Sequence, residues 1–176
     1  PGHDRVRLGF ESGYHLVYDC QRKLGRVGLA ESPEHLASDE DLGPDALASE
    51  LTREDFARML QGKRGTLKSA LMNQELLAGI GNVYSDDILF QLGLHPKAKL
   101  EDLDEAALGR VYETMRSVLA EAADHGADPA KLPDGMLTAH RNIDDVCPRC
   151  GGGLDKVKVS GRNAVFCPVC QGTGTV

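Results

Sequence analysis

Apolar and polar residues alternate at the start of the chain: Val6, Leu8 and Phe10 interleave with Arg5, Arg7 and Gly9, the period of a half-buried strand. Glu11-Ser12-Gly13-Tyr14 reads as a turn, and HLVYD at 15–19 as a second strand, so a hairpin is predicted. GRVGLA at 25–30 is a candidate third strand. Residues 31–50 are polar and broken by Pro33, Gly43 and Pro44, the pattern of a linker with one short turn. The period then changes to that of helices. Thr52 with Asp55 three residues on forms a capping pair before FARML. Leu67, Ala70 and Leu71 share one face of a helix that GIGN, with Gly79 and Gly81, interrupts. VYSDDILFQL resumes helix until Gly93 and His95-Pro96 stop it. Between Asp104 and His125, Leu108, Val111, Tyr112, Met115, Val118 and Leu119 recur at three- and four-residue steps, the longest helical pattern in the chain. The tail from 141 is too rich in Gly and Cys for a helix; LDKVKV and RNAVFC flank Ser160-Gly161 as a short hairpin. The fold class expected is α+β, with segments 1–30, 31–50, 51–140 and 141–176 as early strands, linker, helical domain and Cys-rich module.

Composition narrows the class. Of 176 residues 41% are hydrophobic, enough for one core, and none is Trp. No apolar run approaches the roughly 20 residues of a membrane span, and no charged-then-apolar leader opens the chain. The expectation is a soluble, intracellular, cytoplasmic protein with no membrane partner. A formal net charge of −7 argues by itself against a polyanionic partner. The charges are segregated, however. Residues 31–50 carry seven acids and no Lys or Arg, whereas Arg53, Arg58, Lys63, Arg64 and Lys68 face only Glu54 and Asp55 over 53–68. A local basic face on an acidic body is compatible with that pattern.

Two stretches carry candidate chemistry. Cys147 and Cys150 form one CxxC, Cys167 and Cys170 another, with sixteen residues between them. Two such turns facing each other build a tetrahedral cage of four thiolates, the geometry of a structural zinc. Four cysteines leave no position for water, so one Zn2+ would shape the fold and not catalyse. Disulfides or redox pairs are the alternatives, and nothing marks the chain as secreted. Cys20 stands outside the set. Lys156, Lys158 and Arg162 surround the hairpin tip, either as a probe for a groove or as solvated charges. The second stretch is LAGIGNVYSDDILFQLGLHP. A Gly-rich turn entering a helix offers free N–H groups and the positive dipole end to an anion, although many such turns are only turns. Asn82 can cap that helix or offer its amide to a phosphate. Asp86 and Asp87 read as acids placed early in the helix, where the dipole favours them. His95, His125 and His140 lack ligand spacing and read as structural or surface residues.

Together these stretches resemble a known family. LMNQELLAGIGNVYSDDILFQLGLHP is similar to the helix–two-turns–helix signature of the formamidopyrimidine-DNA glycosylase and endonuclease VIII enzymes. CPRCGGGLDKVKVSGRNAVFCPVCQ looks like their C-terminal zinc finger, including the hairpin Arg162 and the Gln after the last cysteine. LGPDAL at 42–47 resembles the entry to their helical domain, and residues 3–30 the end of their N-terminal β-sandwich. The resemblance implies a base-excision-repair protein that binds double-stranded DNA, damaged or abasic, as a monomer. It places Asn82, with Gly81, and Arg162 on the phosphates flanking a lesion, supported by Lys63, Arg64 and Lys68. RKLG at 22–25 stands where the family has a void-filling loop, with Arg22, Lys23 and Leu24 in its positions and Leu in place of an aromatic ring. The family's nucleophile is an N-terminal proline followed by Glu. Here Pro1 precedes Gly2 and aligns with the interior of the family's first domain, so the chain is expected to bind damaged DNA without the usual catalysis, its catalytic residues unassigned. A zinc-ribbon module that binds protein is the alternative function.

Overall fold

Two compact units, Pro1–Leu36 and Ala37–Val176, make up the computed structural model, which describes residues 3–21, 23, 25, 27–33, 35–36, 40–141 and 145–172. In the first, strand β1 (Asp4–Gly9) pairs antiparallel with β2 (His15–Asp19), Leu8 opposite Leu16 and Val6 opposite Tyr18. Gly13 takes the left-handed conformation the turn needs, at φ +83°. The alternation is as predicted. Its apolar face stays open to solvent, with Leu8, Phe10 and Leu16 all more than half exposed. GRVGLA forms no strand over its described residues, and Leu29 is wholly exposed, so burial offers it no reason to pair.

Among its described residues the second unit holds four α-helices: α1 (Arg53–Leu60), α2 (Leu67–Leu71), α3 (Asn82–Leu92) and α4 (Glu105–Asp124). Side chains cap three of them. Thr52 accepts from the Asp55 N–H at 3.1 Å and donates to its carboxylate, a bond that holds the Asp55 carboxyl below its ordinary range. Thr66 accepts from Ser69 N and Asp104 from Ala107 N. Gly93 ends α3 at φ +70°, and its N–H reaches back to Phe90 O. Helix α4 packs its apolar stripe (Leu108, Val111, Met115, Val118, Leu119) against α1 and α3, around Phe56, Leu60, Leu71, Ile88 and Leu89. Single-turn 3-10 segments lie before α4 at Leu100–Asp102 and after it at Leu137–His140. The chain closes with the hairpin β3 (Asp155–Val159) and β4 (Arg162–Phe166). Its two-residue turn, Ser160 at φ +48° and Gly161 at φ +77°, is the primed type that matches strand twist.

Two boundaries differ from the sequence pattern. Helix α2 stops at Leu71, well before GIGN, because Asn73 and Gln74 draw the chain into turns. Asn73 Oδ1 accepts from Glu75 N, and its carbonyl from Leu76 and Leu77 N. Gln74 donates to Met72 O and Ile80 O and accepts from Gly79 N. One side chain thus braces the entire connection into α3. The segment from 43 to 50, taken with the linker by composition, is built into the helical unit. Ala46 and Leu51 are core residues, Ala46 N bonds Ala78 O, and Arg116 donates to the carbonyls of residues 46, 47 and 48. Tyr112 adds a bond to Leu51 O at 2.7 Å while its ring tilts against Phe56.

Candidate functional site

The four cysteines converge. All their Sγ atoms lie within 4.8 Å of one another. Cys147 and Cys170 are 3.8 Å apart, and Cys150 and Cys167 3.6 Å. A tetrahedron with metal–sulfur bonds of about 2.3 Å has edges of about 3.8 Å, so the cage has the size zinc requires; disulfide sulfurs sit at about 2.05 Å. The electrostatics agree. Burial and the crowding of neighbouring thiols push the Cys170 thiol up to about 12, a strain on deprotonation that a cation relieves. At Cys147 burial is outweighed by the N–H groups of Cys150 and Arg149, which bring it down to about 7. Backbone bonds set the first knuckle: Cys147 N to Gly152 O and Gly151 N to Cys147 O. This centre is structural, its donor set complete with four cysteines.

The finger is seated on α3 by one stripe of that helix. Asn82, Asp86 and Phe90 are four residues apart, and Leu94 continues the spacing just past the cap, so they line a single face. Asn82 Nδ2 donates to Asn163 O at 3.0 Å. Asp86 Oδ2 accepts from Val165 N at 3.0 Å. Phe90 packs with Leu137, Cys147, Val165 and Cys167 in a second hydrophobic cluster, and the Arg149 guanidinium lies 4.5 Å over its ring. Leu94 O accepts from Gln171 Nε2 at 2.8 Å, while Gln171 Oε1 accepts from Cys167 N at 2.9 Å. His95 stands edge-on to Phe166 at 4.8 Å, and burial holds its imidazole below the ordinary value. At the hairpin tip Ser160 shares a hydroxyl bond of 2.7 Å with Ser69, which also bonds Thr66.

Beneath Asn82 lies a buried ionic group. Lys68 and Asp86 are fully inaccessible and pair at 2.6 Å. The second Asp86 oxygen takes Arg141 Nη1, also at 2.6 Å. Lys68 Nζ further donates to Ser85 Oγ and to the Asn82 carbonyl. Burial pushes the Lys68 ammonium below its ordinary value, the Asp86 carboxylate opposes that, and Arg141 and Arg162 add to the lowering. The neighbouring carboxylate, Asp87, accepts from Leu137 N and Thr138 N, capping the 3-10 turn.

The structure thus sorts the predicted site residues. Asn82 bonds the carbonyl of Asn163, the residue after Arg162 on β4. Asn82 does not cap α3; it is the helix's first residue, behind a Gly81 N-cap that supplies no side-chain bond and leaves the first-turn N–H groups open. Lys63 and Arg64 are exposed in the α1–α2 loop. Lys68 is the correction: its three ammonium hydrogens are spent on Asn82, Ser85 and Asp86, so none remains for a phosphate. Asp86 and Asp87 are corrected too: they lie past the first turn of α3 and are wholly buried connectors, not first-turn acids held by the dipole. Lys23 is exposed at φ +53° in the first unit; Arg22 and Leu24, like Pro1 and Gly2, lie outside the described residues. Gln74, Asp86, Arg141 and Gln171 hold the site in shape; only Gln171 carried a signal, its place after the last cysteine.

The description "Formamidopyrimidine-DNA glycosylase H2TH domain" matches residues 42–133, more than half of the chain. The chain belongs to the formamidopyrimidine-DNA glycosylase family. A second match, "Zinc finger found in FPG and IleRS", covers 144–172 and agrees with one structural zinc at the four cysteines. The formamidopyrimidine-DNA glycosylase of Chloroflexus aggregans is 34% identical over 179 residues, covering 96% of this chain and 65% of that protein. The Bacillus cereus enzyme is 32% identical, covering 96% and 66%. The chain therefore spans about two thirds of the length of these relatives. Among solved structures, Lactococcus lactis Fpg bound to DNA containing an AP site superposes with a TM-score of 0.81 at 26% identity, covering 98% of this chain and 66% of that one. Thermus thermophilus MutM (Fpg) gives 0.78 at 32% identity, covering 99% and 70%. No helix among the described residues is long and apolar enough to cross a membrane.

Proposed function

We propose that this chain grips double-stranded DNA at damaged or abasic positions, as a monomer. The observation that carries the reading is the bond from Asn82 Nδ2 to Asn163 O. It ties the Gly-rich helix entry to the strand that carries Arg162, which supports reading a neutral donor, the helix-entry N–H groups and a guanidinium as one grip. Anions suit helix entries, and a guanidinium pairs with phosphate through two parallel donors. Two such groups on adjacent phosphates favour a kinked strand, which an abasic position permits at low cost. Lys63 and Arg64 extend the positive surface along the flanking backbone. Relatives of this family have been captured on DNA containing an abasic site, in line with this reading. An intracellular location with the nucleoid follows from it. The test is a gel-shift titration of the zinc-loaded chain with a duplex holding a tetrahydrofuran abasic analogue, beside the undamaged duplex. Preferential binding to the abasic duplex supports the reading. Equal or absent binding to both duplexes refutes it and favours a protein-binding zinc module.

A further inference from the structure

Asp86 lies too deep to touch any ligand, yet three elements meet on its carboxylate. Oδ1 holds Lys68 of α2 at 2.6 Å; Oδ2 holds Arg141, after the 3-10 turn, at 2.6 Å and the Val165 N–H of β4 at 3.0 Å. Each partner leads to the grip. Lys68 also binds the Asn82 carbonyl at 3.1 Å, fixing the backbone from which the Asn82 amide projects. Val165 sits three residues after Arg162 on the same short strand, whose pairing runs from Phe166 opposite Asp155 to Arg162 opposite Val159. The spacing along α3 completes the arrangement: Asn82 is one helical turn above Asp86 on the same stripe.

Lys68 and Asp86 are wholly inaccessible, and the Asp87 carboxylate beside them is buried as well. Such a group is a costly way to stabilise a fold. It is well suited to holding two surface groups in register.

We propose that Asp86 is a positioning residue of the DNA grip: by joining Lys68, Arg141 and Val165 it sets where Asn82 and Arg162 stand, although it never meets the DNA itself. The inference rests on the reading of the chain as a DNA clamp. Asp86→Asn keeps the shape and one acceptor but removes the charge that holds both cations. Two readouts separate the inference from that reading. The first needs no DNA: hydrogen exchange of the Val165 amide and the NMR signals of the Asn82 side-chain amide in the zinc-loaded chain. Exchange at Val165 should speed up about tenfold or more and the Asn82 signals should shift. Unchanged exchange and unchanged signals overturn the inference whatever the DNA result. The second readout is titration with the tetrahydrofuran duplex in a double-mutant cycle. Asp86→Asn should weaken binding about tenfold in the wild-type background and no more than about twofold in Asn82→Ala/Arg162→Ala, where nothing is left to position. Equal factors in both backgrounds, or an effect on thermal stability alone, overturn it and leave Asp86 a purely structural ion. A wild-type chain that ignores the duplex, with Val165 exchange sped up in the variant, counts against the clamp and not against the coupling. Lys68→Met takes its place if Asp86→Asn fails to fold: it removes the Asn82 link while Arg141 and the Val165 N–H stay on Asp86, so the Asn82 signals should shift and the duplex titration should weaken as above, and unchanged Asn82 signals overturn the inference.

Discussion

Gln171→Ala is the perturbation whose cost can be worked most directly. The side chain is 1% exposed and joins two backbone groups, donating to Leu94 O at 2.8 Å and accepting from Cys167 N at 2.9 Å. Alanine leaves a buried N–H and a buried C=O without partners, each worth about 1–3 kcal/mol. A water entering the vacated space recovers part of that, so the net cost is about 2–4 kcal/mol. Cys167 is a zinc ligand, and metal binding is linked to finger folding. At about 1.4 kcal/mol per factor of ten, the apparent zinc dissociation constant should rise roughly 30- to 1000-fold. Gln171→Glu is a companion of the same volume. It still accepts from Cys167 N but sets a carboxylate oxygen against the Leu94 carbonyl, so it should also weaken zinc by about tenfold or more. The assay is competition with a chromogenic chelator at fixed protein concentration, with circular dichroism to follow the helices. Zinc affinity within about threefold of wild type in both variants would refute the role given to the bracket.

Three further outcomes follow from the same contacts. Arg162→Ala should weaken binding to the tetrahydrofuran duplex by about 1.5–3 kcal/mol and lower the slope of log affinity against log salt by about one, because one phosphate contact is lost; an unchanged slope removes Arg162 from the grip. Phe90→Ala, which empties the centre of the finger-side cluster, should cost about 3–5 kcal/mol in urea unfolding. Chelating zinc should loosen that cluster and release the finger while α1 and α4, which pack in the separate larger core, keep most of their helical signal; a single cooperative loss of all structure contradicts that division.

Much of the architecture is legible in local pattern. Thr52 and Asp55, Gly93, Ser160-Gly161 and the two CxxC pairs announce a cap, a stop, a hairpin turn and a metal cage, because each depends on residues near it in the chain. What pattern reading misses depends on partners far away. Asp86 looks like an acid placed early in a helix for the dipole, and only the arrival of Val165 and Arg141, 79 and 55 residues later, makes it a buried hub. Lys68 counts as surface charge by composition; the fold encloses it with Asp86. The end of α2 at Leu71 is set by the side chains of Asn73 and Gln74, whose turn-forming bonds outweigh the helical period of the apolar residues. The Asn82–Asp86–Phe90–Leu94 spacing was present in the sequence as a mixed polar and apolar stripe. It shows no amphipathic signature because the surface it meets, the finger, is itself half polar backbone.

A crystal structure of the zinc-loaded chain on the tetrahydrofuran duplex tests the central claim most directly. The expected result is Asn82 Nδ2 and the Arg162 guanidinium on neighbouring phosphates of the strand bearing the abasic position, with the Asp86 bond to Val165 N intact. DNA lying on another face, or a finger swung off α3 with that bond broken, contradicts it.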